Sequence, residues 1–293
     1  MTLAYLFLAH KLPGQLGRLV STLYNDEDLF LIHVDAKVDA APFRAQMEDR
    51  FGRPQNIGFV PAVRCDWAGY GHVEATFRGI DLALATTDSF THLLLLTGQD
   101  YPIKPTDQIR SHFAANVGRS FMSWSAGDPA PAPDRRGNER WYWDGDRRRL
   151  ELRYYLVRGR WRHLPNRYAP FVPRRTRMPL GLKPYQGLAY WNLSIEGVRY
   201  VRDLAAAEPG IERFFRRVWG CDEFIFQTML VDSPLRASLV NEDLRFMNWD
   251  GFNPTVLGEA DMPDLARSAK LFARKVDPAV DAAVMDRIDE TLR

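Results

Sequence analysis

The chain has only two cysteines, Cys65 and Cys221, far apart and with no second ligand-spaced cysteine beside either. That scarcity excludes a disulfide framework and a cysteine zinc site, and it fits reducing, cytoplasmic conditions. Long apolar runs are also missing. None reaches the roughly 18 to 20 residues of a spanning helix, and Ala4 to Ala9 is too short, and lacks the basic lead-in, for a signal peptide. A soluble, unsecreted protein is expected. The phosphate loops Gly-x-Gly-x-x-Gly and Gly-x-x-x-x-Gly-Lys-Ser do not occur, which sets aside a dinucleotide enzyme and a P-loop ATPase. No internal repeat or low-complexity tract interrupts the chain.

What is present is alternation. With 293 residues and 46% hydrophobic content the chain can bury a substantial core. Leu3 to Ala9 is a continuous apolar run suited to a strand covered on both faces, Gln15 to Leu23 has helical apolar spacing, and Leu29 to Val34 is a second buried strand. This β-α-β unit implies parallel strands and a right-handed crossover. The pattern repeats with a strand over Asn56 to Val60, a helix over Gly71 to Thr86 and a strand over Thr91 to Thr97, then resumes at Gly187 to Ser194, Ile195 to Ala207 and Glu223 to Val231. The fold class expected is α/β, a doubly wound, mostly parallel sheet flanked by helices. We read one domain over 1–293, its two alternating parts, 1–120 and 184–293, separated by a basic insertion at 121–183. Ligands of such sheets bind beyond the carboxyl ends of the strands. Those ends carry His10 and Lys11, then His33, Asp35 and Lys37, then Gly98, Gln99 and Asp100.

The net charge of +2 is unevenly spread. From Arg135 to Arg177 there are fourteen arginines against four acids, a local +10 that leaves −8 for the remainder. Such a segment attracts an anionic membrane surface, an acidic glycan or nucleic acid, or is simply a solvated insertion. Its interleaved Trp141, Tyr142, Trp143, Tyr154, Tyr155 and Trp161 would suit base stacking, but no nucleic-acid motif accompanies them, so nucleic acid is the weaker reading. Peripheral contact with the inner face of a membrane stays open beside a cytoplasmic location.

Eight blocks carry a resemblance. They are Ala4-Tyr-Leu-Phe-Leu-Ala-His10, Ile32-His-Val-Asp-Ala-Lys37, Trp67-Ala-Gly-Tyr-Gly-His-Val-Glu-Ala75, Leu96-Thr-Gly-Gln-Asp-Tyr-Pro-Ile-Lys104, Gly187-Leu-Ala-Tyr-Trp-Asn-Leu193, Asp222-Glu-Phe224, Leu244-Arg-Phe-Met-Asn-Trp249 and Leu271-Phe-Ala-Arg-Lys-Val-Asp277. In this order the chain resembles the core-2/I-branching β-1,6-N-acetylglucosaminyltransferases and peptide O-xylosyltransferases of glycosyltransferase family 14. The resemblance implies a GT-A-like fold and inverting transfer from a UDP-sugar to a glycan hydroxyl, with 1–120 as the nucleotide-binding half and 184–293 as the acceptor and catalytic half. UDP-N-acetylglucosamine is the donor it favours, with UDP-xylose as the alternative, and it implies no metal or other cofactor.

By the same resemblance Glu223 is the base that takes the acceptor proton, with Asp222 as the helix cap. Read locally, an Asp-Glu pair before an apolar helix is an N-terminal cap and no more. Arg245 and Lys275 would contact the diphosphate in place of a divalent ion, with Arg274 the competitor if the register slips by one. His10, Asp35 and Asp100 would line the nucleotide-sugar pocket. Tyr190 and Trp191 would stack on a pyranose or pack in the core. Glu139 and Arg140 fall where relatives place acceptor contacts. Asp144-Gly-Asp146 matches the Asp-x-Asp metal motif as a string, yet it follows no apolar strand and reads as a turn.

Overall fold

The structure is a computed structural model that describes residues 1–87, 89–126, 149–157, 159–163, 178–250 and 253–293. Its first half alternates strictly: β1 (Thr2–Ala9), α1 (Pro13–Leu23), β2 (Leu29–Val34), α2 (Ala41–Phe51), β3 (Ile57–Val60), α3 (Gly71–Thr86) and β4 (Phe90–Thr97). A short strand β5 (Asp100–Pro102), helix α4 (Thr106–Ala114) and strand β6 (Ser120–Met122) follow.

The seven-stranded sheet runs in the order β3, β2, β1, β4, Trp191–Ser194, β6, Leu239–Asn241. β1 pairs in parallel with β2 and with β4, and β2 pairs in parallel with β3. Every residue of β2 is buried, as its unbroken Leu-Phe-Leu-Ile-His-Val run requires of a strand covered on both faces. One face packs Leu16, Leu19, Val20 and Leu23 of α1, Phe43 and Met47 of α2, and the C-terminal helix Val284–Thr291. The other packs α3 with Ile195–Ala207 and Ile225–Val231. Gly79 of α3 lies where an added Cβ would come 2.4 Å from Leu6, so the missing side chain lets this helix rest directly on β1.

The doubly wound α/β sheet expected from the sequence is therefore present, with two additions. The strand Trp191–Ser194 runs antiparallel to both of its neighbours, β4 and β6. A second, three-stranded sheet joins Arg245–Met247 and Phe272–Arg274 in parallel, and Phe272–Arg274 to β5 antiparallel. Three-residue strands carry too little alternation to be read from periodicity. The segment at 187–190, expected as part of a strand, is instead irregular and lies on the site. Among the described residues no helix is long and apolar enough to cross a membrane.

Candidate active site

Beyond the carboxyl ends of β1, β2 and β4 lies a cleft of about 530 Å³, within the range of small-molecule sites. Its walls come from distant parts of the chain: His10, Lys11 and Asp35 at the strand ends, His72 on α3, Asp222 and Glu223, and Arg274 and Lys275.

Glu223 closes a 3-10 turn, Cys221–Glu223, immediately before the helix Ile225–Val231. The turn is entered through Gly220 at φ 64°, a left-handed conformation that glycine adopts without strain. Its backbone is anchored twice, by Gly220 N–H donating to Ala68 at 2.7 Å and by Gly187 N–H donating to the Glu223 carbonyl at 2.8 Å. The Glu223 side chain is 37% exposed, and its Oε2 lies 2.8 Å from Arg149 Nη2. Asp222 does not cap the helix. The N-cap position is held by Phe224 with no side-chain hydrogen bond, because the 3-10 turn carries Asp222 to the cleft lining instead.

Asp35 lines the cleft with its oxygens engaged. Oδ1 accepts from Lys37 N–H at 2.9 Å and from Cys65 N–H at 3.3 Å, and Oδ2 lies 3.3 Å from Lys37 Nζ. Burial opposes ionisation, but these donors outweigh it and hold the carboxyl below its ordinary range. His10 is exposed at the end of β1, and its pKa is lowered by desolvation and then by Lys11. His33 serves the backbone: its Nε2 accepts from Val63 N–H at 2.9 Å, and burial pushes it down to about 4.

The cationic wall differs from the reading by resemblance. Arg245 does not reach the cleft surface. Its side chain is wholly buried, donating to the carbonyls of Asp243 and Leu95 and lying 3.7 Å from Asp100 Oδ2. Arg274 takes the surface position: it lines the cleft, donates to Thr97 Oγ1 and sits 3.5 Å from Asp100 Oδ1. The Tyr190 ring lies between them, 4.8 Å from the Arg245 guanidinium and 4.9 Å from that of Arg274. Burial raises the Tyr190 phenol above its ordinary value, so it is neutral in this setting. Lys275 also lines the cleft. Desolvation, then Lys11 and Arg274, lower its pKa, the response of an ammonium held among like charges. Lys11 is balanced by Asp277 at 2.7 Å, whose Oδ2 also accepts from Gln99 at 3.0 Å.

Two further residues lie away from the cleft surface. Asp100 is completely buried and takes Thr97 N–H at 2.6 Å, so it braces the arginines from beneath and does not line the cleft. Trp191 takes the core alternative of its two expected readings, fully buried with its ring 5.3 Å from that of Phe226. Tyr190 does line the cleft. Glu139, Arg140, Asp144 and Asp146 lie outside the described residues.

Sequence reasoning missed the aromatic mouth. Trp67 is 70% exposed, meets Trp219 edge-on at 5.2 Å, and its carbonyl accepts from Trp161 Nε1 at 2.6 Å. The only signal was a set of tryptophans, Trp67, Trp161 and Trp219, too far apart along the chain for any local pattern to connect.

Comparison with known proteins bears on this arrangement. The family model described as Core-2/I-Branching enzyme matches residues 3–268. The chain belongs to that family. The match includes Glu223, Asp35 and Arg245 and stops short of Arg274 and Lys275. Among curated relatives of this family, the mouse β-1,3-galactosyl-O-glycosyl-glycoprotein β-1,6-N-acetylglucosaminyltransferase 4 is 22% identical over 99% of this chain and 65% of its own length. Rat xylosyltransferase 2 is 22% identical over 98% of this chain and 33% of its own. The chain thus spans about two thirds of the first relative and one third of the second. A solved structure, mouse xyloside xylosyltransferase 1, overlaps 93% of this chain and 97% of its own at a TM-score of 0.44 and 10% identity.

Proposed function

We propose that the protein is an inverting glycosyltransferase that moves N-acetylglucosamine from UDP to a glycan hydroxyl, with Glu223 as the base. The observation that carries this reading is that one cleft at the strand ends is lined both by the Glu223 carboxylate and by Arg274 and Lys275. An acceptor hydroxyl beside Glu223 would give its proton to the carboxylate as its oxygen bonds the anomeric carbon. The bond from that carbon to the diphosphate breaks, and UDP departs with the electron pair. Fixed cations near that position stabilise the charge that develops on the leaving phosphate. Arg274 supplies a planar fork and Lys275 a point charge, and together they do the electrostatic work that a divalent ion does in other GT-A enzymes. Asp35 suits the nucleoside end, since it sits at the end of β2 and is held ionised.

UDP-xylose is the second reading, favoured by the xylosyltransferase relatives at the same 22% identity as the N-acetylglucosaminyl one. Both donors bring the same diphosphate to the same cations. The basic segment at 135–177 is assigned to the acceptor side or to an anionic surface, and binding through it would weaken steeply with salt.

The experiment is a thermal-shift panel of UDP, UDP-N-acetylglucosamine, UDP-xylose and GDP, each with and without EDTA. A specific ligand adds about RT ln(1 + [L]/Kd) to stability, so the responder identifies the donor. A GDP response larger than that of UDP would overturn the reading.

A further inference from the structure

Arg149 comes from within the basic insertion, 74 residues before Glu223, and is built into the floor of the site. It is buried. Its Nε donates to the Trp219 carbonyl at 2.8 Å, and its Nη2 donates both to the Gly220 carbonyl and to Glu223 Oε2 at 2.8 Å. Its guanidinium lies 4.8 Å from the Trp219 ring centroid and 4.7 Å from that of Phe224. Gly220 makes the seat: a Cβ there would stand 2.1 Å from Arg149 Nη2, so the absent side chain is the space that the guanidinium fills.

We propose that Arg149 is a positioning residue for Glu223, holding its carboxylate ionised and directed into the cleft. This rests on the reading of Glu223 as the base. A guanidinium stays protonated throughout the working pH range, so it cannot exchange a proton with Glu223 and stabilises only the charged form. Its own position is set by two backbone carbonyls and two rings, which fixes Oε2 in turn. The turn Cys221–Glu223 holds the glutamate backbone, and Arg149 holds its far end. The basic insertion thereby contributes a side chain to the catalytic end of the cleft. Among the described residues the other ionisable groups there are Asp222 on the same turn and His10, Lys11, His33, Asp35, Cys65, His72, Tyr190, Arg274 and Lys275 elsewhere on the lining.

The test is the titration of the Glu223 carboxyl by NMR in protein labelled with 13C at glutamate Cδ, the signal being assigned by its loss in Glu223→Gln. In Arg149→Met the titration midpoint is expected to rise by about one pH unit or more, and Arg149→Lys should recover most of that shift. The acidic limb of the transfer rate should move by the same amount. An unmoved midpoint in folded Arg149→Met would overturn the proposal. Should that variant fail to fold, Arg149→Gln keeps a polar side chain in the same space without the charge, and the same rise is expected. A moved midpoint with an unmoved rate profile would establish the ion pair and remove Glu223 as the base, so the two failures are told apart.

Discussion

Arg274 and Asp100 face each other across an antiparallel pair of short strands, with Arg274 Nη1 3.5 Å from Asp100 Oδ1. On the other side of the same carboxylate, Oδ2 lies 3.7 Å from Arg245. One buried acid therefore serves two arginines, and the pair of guanidinium groups encloses Tyr190. Of the two, Arg274 lines the cleft, where a diphosphate would meet it.

Replacing Asp100 with Asn keeps the shape and removes the charge that separates the two arginines. Breaking a buried ion pair from one side costs about 3 kcal/mol or more, so urea unfolding of Asp100→Asn should show a loss of that order. A loss below about 0.5 kcal/mol, the size of an ordinary surface substitution, would mean that the carboxylate does not brace this cluster.

The two arginines should separate by phenotype. Arg274→Ala and Lys275→Ala are expected to weaken UDP by roughly 10- to 150-fold, the worth of a charged hydrogen bond to phosphate. Arg245→Ala should act on stability first, since its side chain is wholly buried. Calorimetric titration of UDP decides between them. Equal UDP affinity in wild type and Arg274→Ala would return the diphosphate role to Arg245.

Glu223→Gln should leave UDP affinity near wild type and lower turnover by roughly 100-fold or more, the usual cost of losing a general base. Retention of most of the turnover at saturating acceptor would require a different base, and Asp222 on the same turn would be the first to examine.

Transfer is expected to persist in excess EDTA, with added manganese giving little gain, because Arg274 and Lys275 place fixed positive charge on the cleft wall. The comparison is transfer rate in EDTA against manganese. Activity abolished by EDTA, restored by manganese and lost in Asp144→Asn or Asp146→Asn would assign those residues to a metal.

His33 makes a prediction about acid. Its folded value is depressed to about 4 from 6.5, so the unfolded chain binds the proton more readily between those values. The stability it contributes is present above pH 6.5 and is lost as pH falls towards 4. Between pH 7.5 and 5.0 this one group should cost about 2 kcal/mol, read from urea midpoints. His33→Gln keeps an acceptor for Val63 N–H without a proton to gain, and its unfolding should vary less with pH by that amount. An unchanged slope would show that His33 is not the neutral buried acceptor described.

Much of the fold was open to reading along the chain. β2 over Leu29–Val34, α3 over Gly71–Thr86 and the helix Ile195–Ala207 match their expected bounds, because each is long and its apolar period is unmistakable. The strand ends that carry His10 and Asp35 followed from the same pattern, since the position of a site in a parallel sheet is a consequence of strand direction. Helix α2 escaped, since among its eleven residues only Phe43 and Met47 are buried. Which of two cations meets the cleft was not legible, because Arg245 and Arg274 both stand in arginine-containing blocks of similar character. The partner that separates them, Asp100, lies 145 and 174 residues away in the chain and is brought near only when three short strands pair. The same holds for Arg149. Within the segment 135–177 it is one of fourteen arginines, and folding singles it out by offering one guanidinium-sized space above Gly220, lined with carbonyl oxygens and aromatic faces. Sequence by itself determined the periodic elements and the end of the sheet where chemistry could occur, because both depend on local spacing. Tertiary structure alone decided which charged side chains are paired, buried or presented, since a charge is stabilised by whatever folding places within a few ångströms of it.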